Sequence, residues 1–227
     1  MRLATLFTGG KDSTYSTYIA KKCGHEVNLL IHLLSKNIDS YMFHAVGNEF
    51  ARAEASALNI KIEEFETEGE KEKELEDLKN AIKIAKEKYG IEGIISGALM
   101  SNYQYTRIKK ILDELGLYSF TPLWKTNLKN YLNELIEVGF KPMIISVSAE
   151  GLDESFLGKI IDKELLKNLE ILSNKYGFNL GFEGGEAETA VLDGPIFEKR
   201  LIIESFEIEK DEGKYYIKNV KIRLENK

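Results

Sequence analysis

The chain is 227 residues long and carries 31 Lys+Arg against 37 Asp+Glu, a formal net charge of −6. With 43% hydrophobic and 30% charged residues it has a globular composition, and the acidic balance argues against a protein held to nucleic acid by phosphate electrostatics. Its single cysteine, Cys23, excludes an intrachain disulfide, a cysteine zinc cluster and a two-cysteine persulfide relay.

Residues 2–7 form a short apolar run that ends at Gly9-Gly10, the signature of a buried central strand. Asp12-Ser13 can cap the helix that follows, with Tyr15, Tyr18 and Ile19 on one face. Residues 27–34 read as a second strand. Val46, Phe50, Ala53 and Ala57 then recur at helical spacing, and residues 60–65 make a third strand. The charge-rich stretch 70–89 hides an apolar stripe, Leu75, Leu78, Ile82, Ala85 and Tyr89. Steps of three and four define an amphipathic helix with a solvated outer face. Residues 93–96 form a fourth strand, followed by a helix with Ile108, Ile111, Leu112 and Leu115, then one with Leu132, Leu135 and Ile136. Residues 142–147 are expected as the fifth strand.

This alternation over residues 1–148 predicts an α/β domain, a mostly parallel five-stranded sheet with helices on both faces. Residues 149–227 are expected to form a smaller α+β lobe. Leu165, Leu169, Leu172 and Tyr176 mark a helix, and a glycine-rich acidic segment covers 177–195. Runs 201–209 and 214–224 are joined by Asp211-Glu212-Gly213, a hairpin signal. No apolar run approaches the ~20 residues that span a bilayer. The short N-terminal run leads straight into the glycine loop, so a cytoplasmic protein without membrane attachment is expected.

Thr8-Gly9-Gly10-Lys11-Asp12-Ser13 joins the first strand to the first helix. Glycines let the backbone turn sharply, and a helix N-terminus adds positive potential, which together suit a phosphate. Thr5 and Asp12 stand where a Walker loop needs Gly and Ser/Thr, and no G-x-G-x-x-G is present. From the glycine pair alone, an ordinary strand–helix turn remains open. Asp12 is an acidic group at this loop or a plain helix cap. Glu183, Glu186 and Glu188, spaced by three and two in a glycine-rich setting, could reach one small volume, or they could line a solvated loop. Arg107 could fork onto a phosphate or carboxylate, or form a surface ion pair. Tyr103 and Trp124 are explained by packing as well as by a site. His25, His32 and His44 have no metal spacing; His32 reads as a strand residue, and Cys23 as structural.

The string Phe-Thr-Gly-Gly-Lys-Asp-Ser over residues 7–13 resembles the Ser-Gly-Gly-x-Asp-Ser loop of the N-type ATP pyrophosphatases, the PP-loop superfamily, with Thr8 keeping the hydroxyl. Three further segments narrow the resemblance: Ser-Tyr-Met-Phe-His-Ala-Val-Gly at 40–47, Gly-Ala-Leu-Met-Ser-Asn-Tyr-Gln at 97–104 with Arg107 beyond it, and Glu-Gly-Gly-Glu-Ala-Glu-Thr at 183–189 with Asp-Gly-Pro at 193–195. Together they are similar to the signature segments of the diphthine–ammonia ligase family over nearly the whole chain. Asn102 stands where that family commonly has Asp, and Ala187 where it commonly has an aromatic.

The resemblance implies an adenine nucleotide alpha hydrolase-like fold of the HUP type and a ligase with ATP as co-substrate and Mg2+. It implies that the diphthine carboxylate of translation elongation factor 2 is amidated with ammonium, through an acyl-adenylate, with release of AMP and pyrophosphate. Thr8, Gly9, Gly10, Lys11, Asp12, Ser13, His44 and Gly97 would hold ATP and its pyrophosphate, with Asp12 on the metal. Ser101, Asn102, Tyr103, Gln104, Arg107 and Thr189 would bind substrate, and Glu183, Glu186 and Glu188 would carry catalysis. No direct nucleic-acid binding and no membrane partner are expected, and assembly with copies of itself is left open. Two other readings compete: a PP-loop adenylating enzyme for a small acid or RNA base, and a noncatalytic adenine-nucleotide-binding module.

Overall fold

The computed structural model describes residues 1–35, 47–69 and 73–227; His44, Val46 and most of the 40–47 segment lie outside them. Five strands form a parallel sheet: Arg2–Leu6 (β1), Glu26–Ser35 (β2), Lys61–Thr67 (β3), Gly93–Ile95 (β4) and Tyr118–Phe120 (β5). Their order is β3-β2-β1-β4-β5. The chain steps outward from β1 to β3, then returns to the other side of β1 with β4. The loops after β1 and β4 therefore diverge at a switch point, where such sheets bind ligands.

Helices cover both faces. Lys73–Tyr89 (α3) and Asn102–Leu115 (α4) pack on one face, burying Leu78, Ile82 and Ala85 of the predicted stripe with Ile108, Ile111 and Leu112 against Ala4, Leu29, Ile31 and Ile94. Lys11–Lys22 (α1) and Asn48–Leu58 (α2) lie on the other face, where Tyr15, Phe50 and Ala51 share one core with Leu30. That core runs on without a break into the second lobe through Ile144, Ala190, Val191 and Ile217.

The second lobe is a four-stranded antiparallel sheet. It comprises Pro142–Val147 (β6), Ala187–Val191 (β7), Lys199–Asp211 (β8) and Lys214–Asn226 (β9), in the order β7-β6-β9-β8. Leu128–Glu137 (α5) and Lys163–Tyr176 (α6) flank it. The β8–β9 turn pairs Asp211 with Lys214, and its two central residues have positive φ, +42° at Glu212 and +88° at Gly213. That backbone matches the right-handed twist of the strands.

One strand assignment is corrected. Residues 142–147 are not the fifth parallel strand: they pair antiparallel with β7 and β9, and β5 takes the place beside β4. A fully buried apolar run looks alike in either sheet, and a three-residue strand such as β5 is too short to show a period.

Candidate active site

The loop between β1 and α1 is ordered by its own hydroxyls. Thr8 Oγ1 accepts the Gly10 N–H at 3.2 Å and lies 3.2 Å from Ser13 Oγ, which donates to the Gly10 carbonyl at 3.1 Å. Gly9 has φ +76°, and a Cβ there would come within 3.0 Å of Ala51 Cα. Gly10, at φ −78°, is the N-cap and offers no side chain to the helix. Asp12 and Ser13 are thus not the cap of α1. The first N–H of the helix, from Lys11, instead donates to Thr189 Oγ1 at 3.1 Å, across from the other lobe. Gly97 follows β4 and abuts this same turn: a Cβ would stand 2.8 Å from Ser13 N.

A cavity opens here, at the carboxyl ends of β1 and β4. Thr8, Gly9, Gly10, Lys11, Asp12 and Ser13 line it with Gly97, Gln104, Glu183, Ala187, Glu188 and Thr189. The phosphate loop and the acidic segment, about 170 residues apart in the chain, thus face one space. Glu186, Ser101, Asn102, Tyr103 and Arg107 are not among the lining residues.

The three glutamates have separate environments. Glu183 Oε1 accepts backbone N–H groups from Leu99 at 3.0 Å, Met100 at 2.7 Å and Ser101 at 3.4 Å. Its carboxylate fixes the turn at the head of α4, where the helix dipole favours an anion. Glu186 turns into its own loop, with Oε1 on Asn179 N–H at 3.1 Å and Oε2 on Gly184 N–H at 2.8 Å. Glu188, on β7, faces the cavity and pairs with Lys214 at 2.7 Å, the two side chains being only 10% and 18% exposed.

Lys11 is held by two neighbours. Its side chain is 3% exposed, and Nζ donates to the Gly181 carbonyl at 2.7 Å and to Asp12 Oδ2 at 3.0 Å. Asp12 Oδ1 accepts from the Tyr131 hydroxyl at 2.8 Å. Burial, then the Asp12 charge, pushes the Tyr131 phenol well above its ordinary range, so it remains a donor. Arg107 Cζ lies over the Tyr103 ring, 3.5 Å from its centroid. Tyr105, on the same helix, and Trp124 stack at 4.1 Å with an 8° interplanar angle. Lys125 N–H donates to the Leu99 carbonyl at 2.8 Å, which joins this pair to the turn after β4.

Sequence reasoning missed Tyr131, Lys214, the support role of His32, and Glu54. His32, in β2, places Nδ1 2.7 Å from the Phe7 carbonyl, so that nitrogen carries a proton, and Nε2 lies 3.1 Å from Asn48 Oδ1. It fixes the chain just before the phosphate loop. Glu54 of α2 is fully buried; it accepts Val191 N–H at 2.8 Å and the Thr14 hydroxyl at 3.2 Å. None of the four partnerships has a local sequence signal, because each joins residues from different elements. Among the described residues, no group of three or more His, Cys, Asp or Glu side chains gathers for a metal ion. Asp12, which lines the cavity, is the carboxylate of the phosphate loop that could meet a metal ion.

Comparison with known proteins bears on the whole chain. Residues 1–119 match the family described as diphthamide synthase N-terminal domain, and residues 127–222 the diphthamide synthase C-terminal domain. The Homo sapiens protein named diphthine–ammonia ligase is 38% identical over 230 residues, covering 92% of this chain and 85% of the relative. Its Schizosaccharomyces pombe namesake is 31% identical over 92% of this chain and 37% of its own length. Among solved structures, a predicted subunit of tRNA methyltransferase from Methanocaldococcus jannaschii aligns with a TM-score of 0.47 at 20% identity, over 86% of this chain and 97% of that one. That last likeness carries no chemistry; the matches to both halves and the identity along nearly the full length place the chain in the diphthamide synthase family.

Proposed function

We propose that this protein amidates the diphthine carboxylate of translation elongation factor 2 with ammonium, at the cost of ATP. A carboxylate oxygen attacks the α-phosphorus of ATP and pyrophosphate leaves, giving an acyl-adenylate. Ammonium first gives one proton to a base; the ammonia attacks the acyl carbon, the C–O bond to AMP breaks, and a second proton leaves the nitrogen to give the amide. Little covalent chemistry falls to the protein, so positioning and charge placement dominate.

The observation that carries this reading is one cavity lined by both the phosphate loop and the acidic segment. The loop at the head of α1 suits the departing pyrophosphate, with the Thr8 and Ser13 hydroxyls beside it. Glu183 and Glu188 both line the space; Glu183 is taken up by backbone N–H groups, and Glu188 can hold ammonium and accept its proton. Glu183 shapes the wall, and Glu186 holds the glycine turn. Gln104 and Thr189 line the cavity as substrate-side groups.

The test is turnover with ATP, ammonium and a diphthine-bearing factor. AMP, pyrophosphate and amidated factor are expected. ADP and phosphate as products would overturn the adenylate reading. AMP formed only with a small acid or an RNA would favour another PP-loop activity, and nucleotide binding without turnover a noncatalytic module.

A further inference from the structure

We propose that Lys11 is a positioning residue: its ammonium and its backbone N–H clamp the two ends of the 181–189 segment, so that Glu183 and Glu188 face the cavity. The side chain reaches Gly181 O at 2.7 Å, at the start of the segment, and the N–H reaches Thr189 Oγ1 at 3.1 Å, at its end. One residue thus grips both ends of a nine-residue span whose middle is Gly184-Gly185. Glycines make that span entropically costly to order, so two fixed ends matter more here than in a stiff segment.

The surroundings suit a structural ammonium. Nζ has three protons to place. Two go to Gly181 O and Asp12 Oδ2, and the Phe182 ring lies 5.4 Å away, within cation–π range. Asp12 is itself held by Tyr131, so the chain of contacts runs from α5 through Asp12 and Lys11 to the segment. Moving Nζ onto a phosphate would leave the Gly181 carbonyl without its donor and the partly buried Asp12 oxygen without its cation, losses that a buried site resists.

The inference rests on the ligase reading only in its kinetic arm. The structural arm is hydrogen exchange of the amides of residues 182–188 in the native protein. In Lys11→Met, exchange there should rise by roughly tenfold or more while the parallel sheet stays protected. Lys11→Gln keeps an N–H donor at the position, provides a folded alternative should the first variant lose the fold, and should fall between the two. Unaltered exchange in folded variants would overturn the proposal. The wild type supplies a second check: ATP should leave the segment's protection equal or higher, and a roughly tenfold fall on ATP binding would show Lys11 leaving for the phosphates. In the kinetic arm, the loss in amide formation should exceed the loss in ATP affinity by about tenfold, and equal losses would return Lys11 to the nucleotide. If wild type forms no amide, the ligase reading fails, and the exchange result still decides the role of Lys11.

Discussion

Thr189 and Lys11 are 178 residues apart, yet the hydroxyl of the first accepts the backbone N–H of the second at 3.1 Å. Helix α1 begins at a glycine and takes its capping oxygen from the antiparallel sheet. A bond that most helices make within four residues here ties the two lobes together. Thr189→Val should cost about 1 kcal/mol in urea unfolding, the usual loss of a cap. Thr189→Ser, which keeps the oxygen, should recover most of it.

The two loop glycines should fail differently. Gly9 sits at φ +76° with Ala51 Cα where its Cβ would press. Gly9→Ala should destabilise the fold by about 1–2 kcal/mol or more. Gly10 has φ −78°, which any residue adopts. Gly10→Ala should cost less stability than Gly9→Ala while lowering ATP affinity about tenfold or more, because its Cβ would stand 3.2 Å from Thr8 Oγ1 and displace that hydroxyl from the loop. Urea titration and calorimetry on the same two variants separate these outcomes.

Glu54 sets a pH dependence. Burial pushes its carboxyl well above the ordinary range, partly offset by the bonds from Val191 N–H and Thr14. The folded state keeps this proton to higher pH than the unfolded chain does. Its stabilising contribution is therefore complete below about pH 4.5 and is lost as pH rises through the folded value. Glu54→Gln should match wild type near pH 4.5 and become progressively more stable than it toward pH 8, as urea midpoints across that range would record. Glu54→Ala should instead lose about 1–3 kcal/mol by leaving the Val191 N–H unpaired.

Glu188 and Glu186 should separate chemistry from scaffolding. Glu188→Gln should keep ATP binding and cut amide formation by at least about 10²-fold, the lower range for loss of a general base. Glu186→Gln replaces one of two accepting oxygens with an NH2 group, and should first loosen the turn around Gly184. Faster exchange of the Gly184 amide, ahead of any change in the amidation rate at saturating substrate, is the expected sign. A rate loss in Glu186→Gln with an unaltered turn would reverse the two roles.

The parts of this fold that were legible in the sequence are those with a local period. The stripe from Leu75 to Tyr89, the apolar strands and the Asp211–Gly213 turn each declare themselves within a dozen residues. Strand β5 does not, because three residues carry no period. The turn from strand to helix at residues 8–13 was readable from its glycines, but the partner of its helix N-terminus was not, since Thr189 lies on a strand of the other sheet. The spacing of Glu183, Glu186 and Glu188 showed that carboxylates cluster. It could not show that Glu186 sits in the turn before β7 and bends back, while Glu188, inside the strand, looks into the cavity. Tyr131 on Asp12 and Val191 on Glu54 are likewise products of packing between elements.

The Tyr105–Trp124 stack gives the molecule an optical reporter. Trp124 is the sole tryptophan, and its neighbour Lys125 is bonded to the Leu99 carbonyl while Glu183 holds the Leu99 amide. Any ligand that shifts the turn after β4 also shifts the surroundings of that one indole. Emission excited on the red edge, where tyrosine scarcely absorbs, therefore comes from a single place tied to the turn after β4, and a ligand that moves this turn can be followed by titration without attaching a dye.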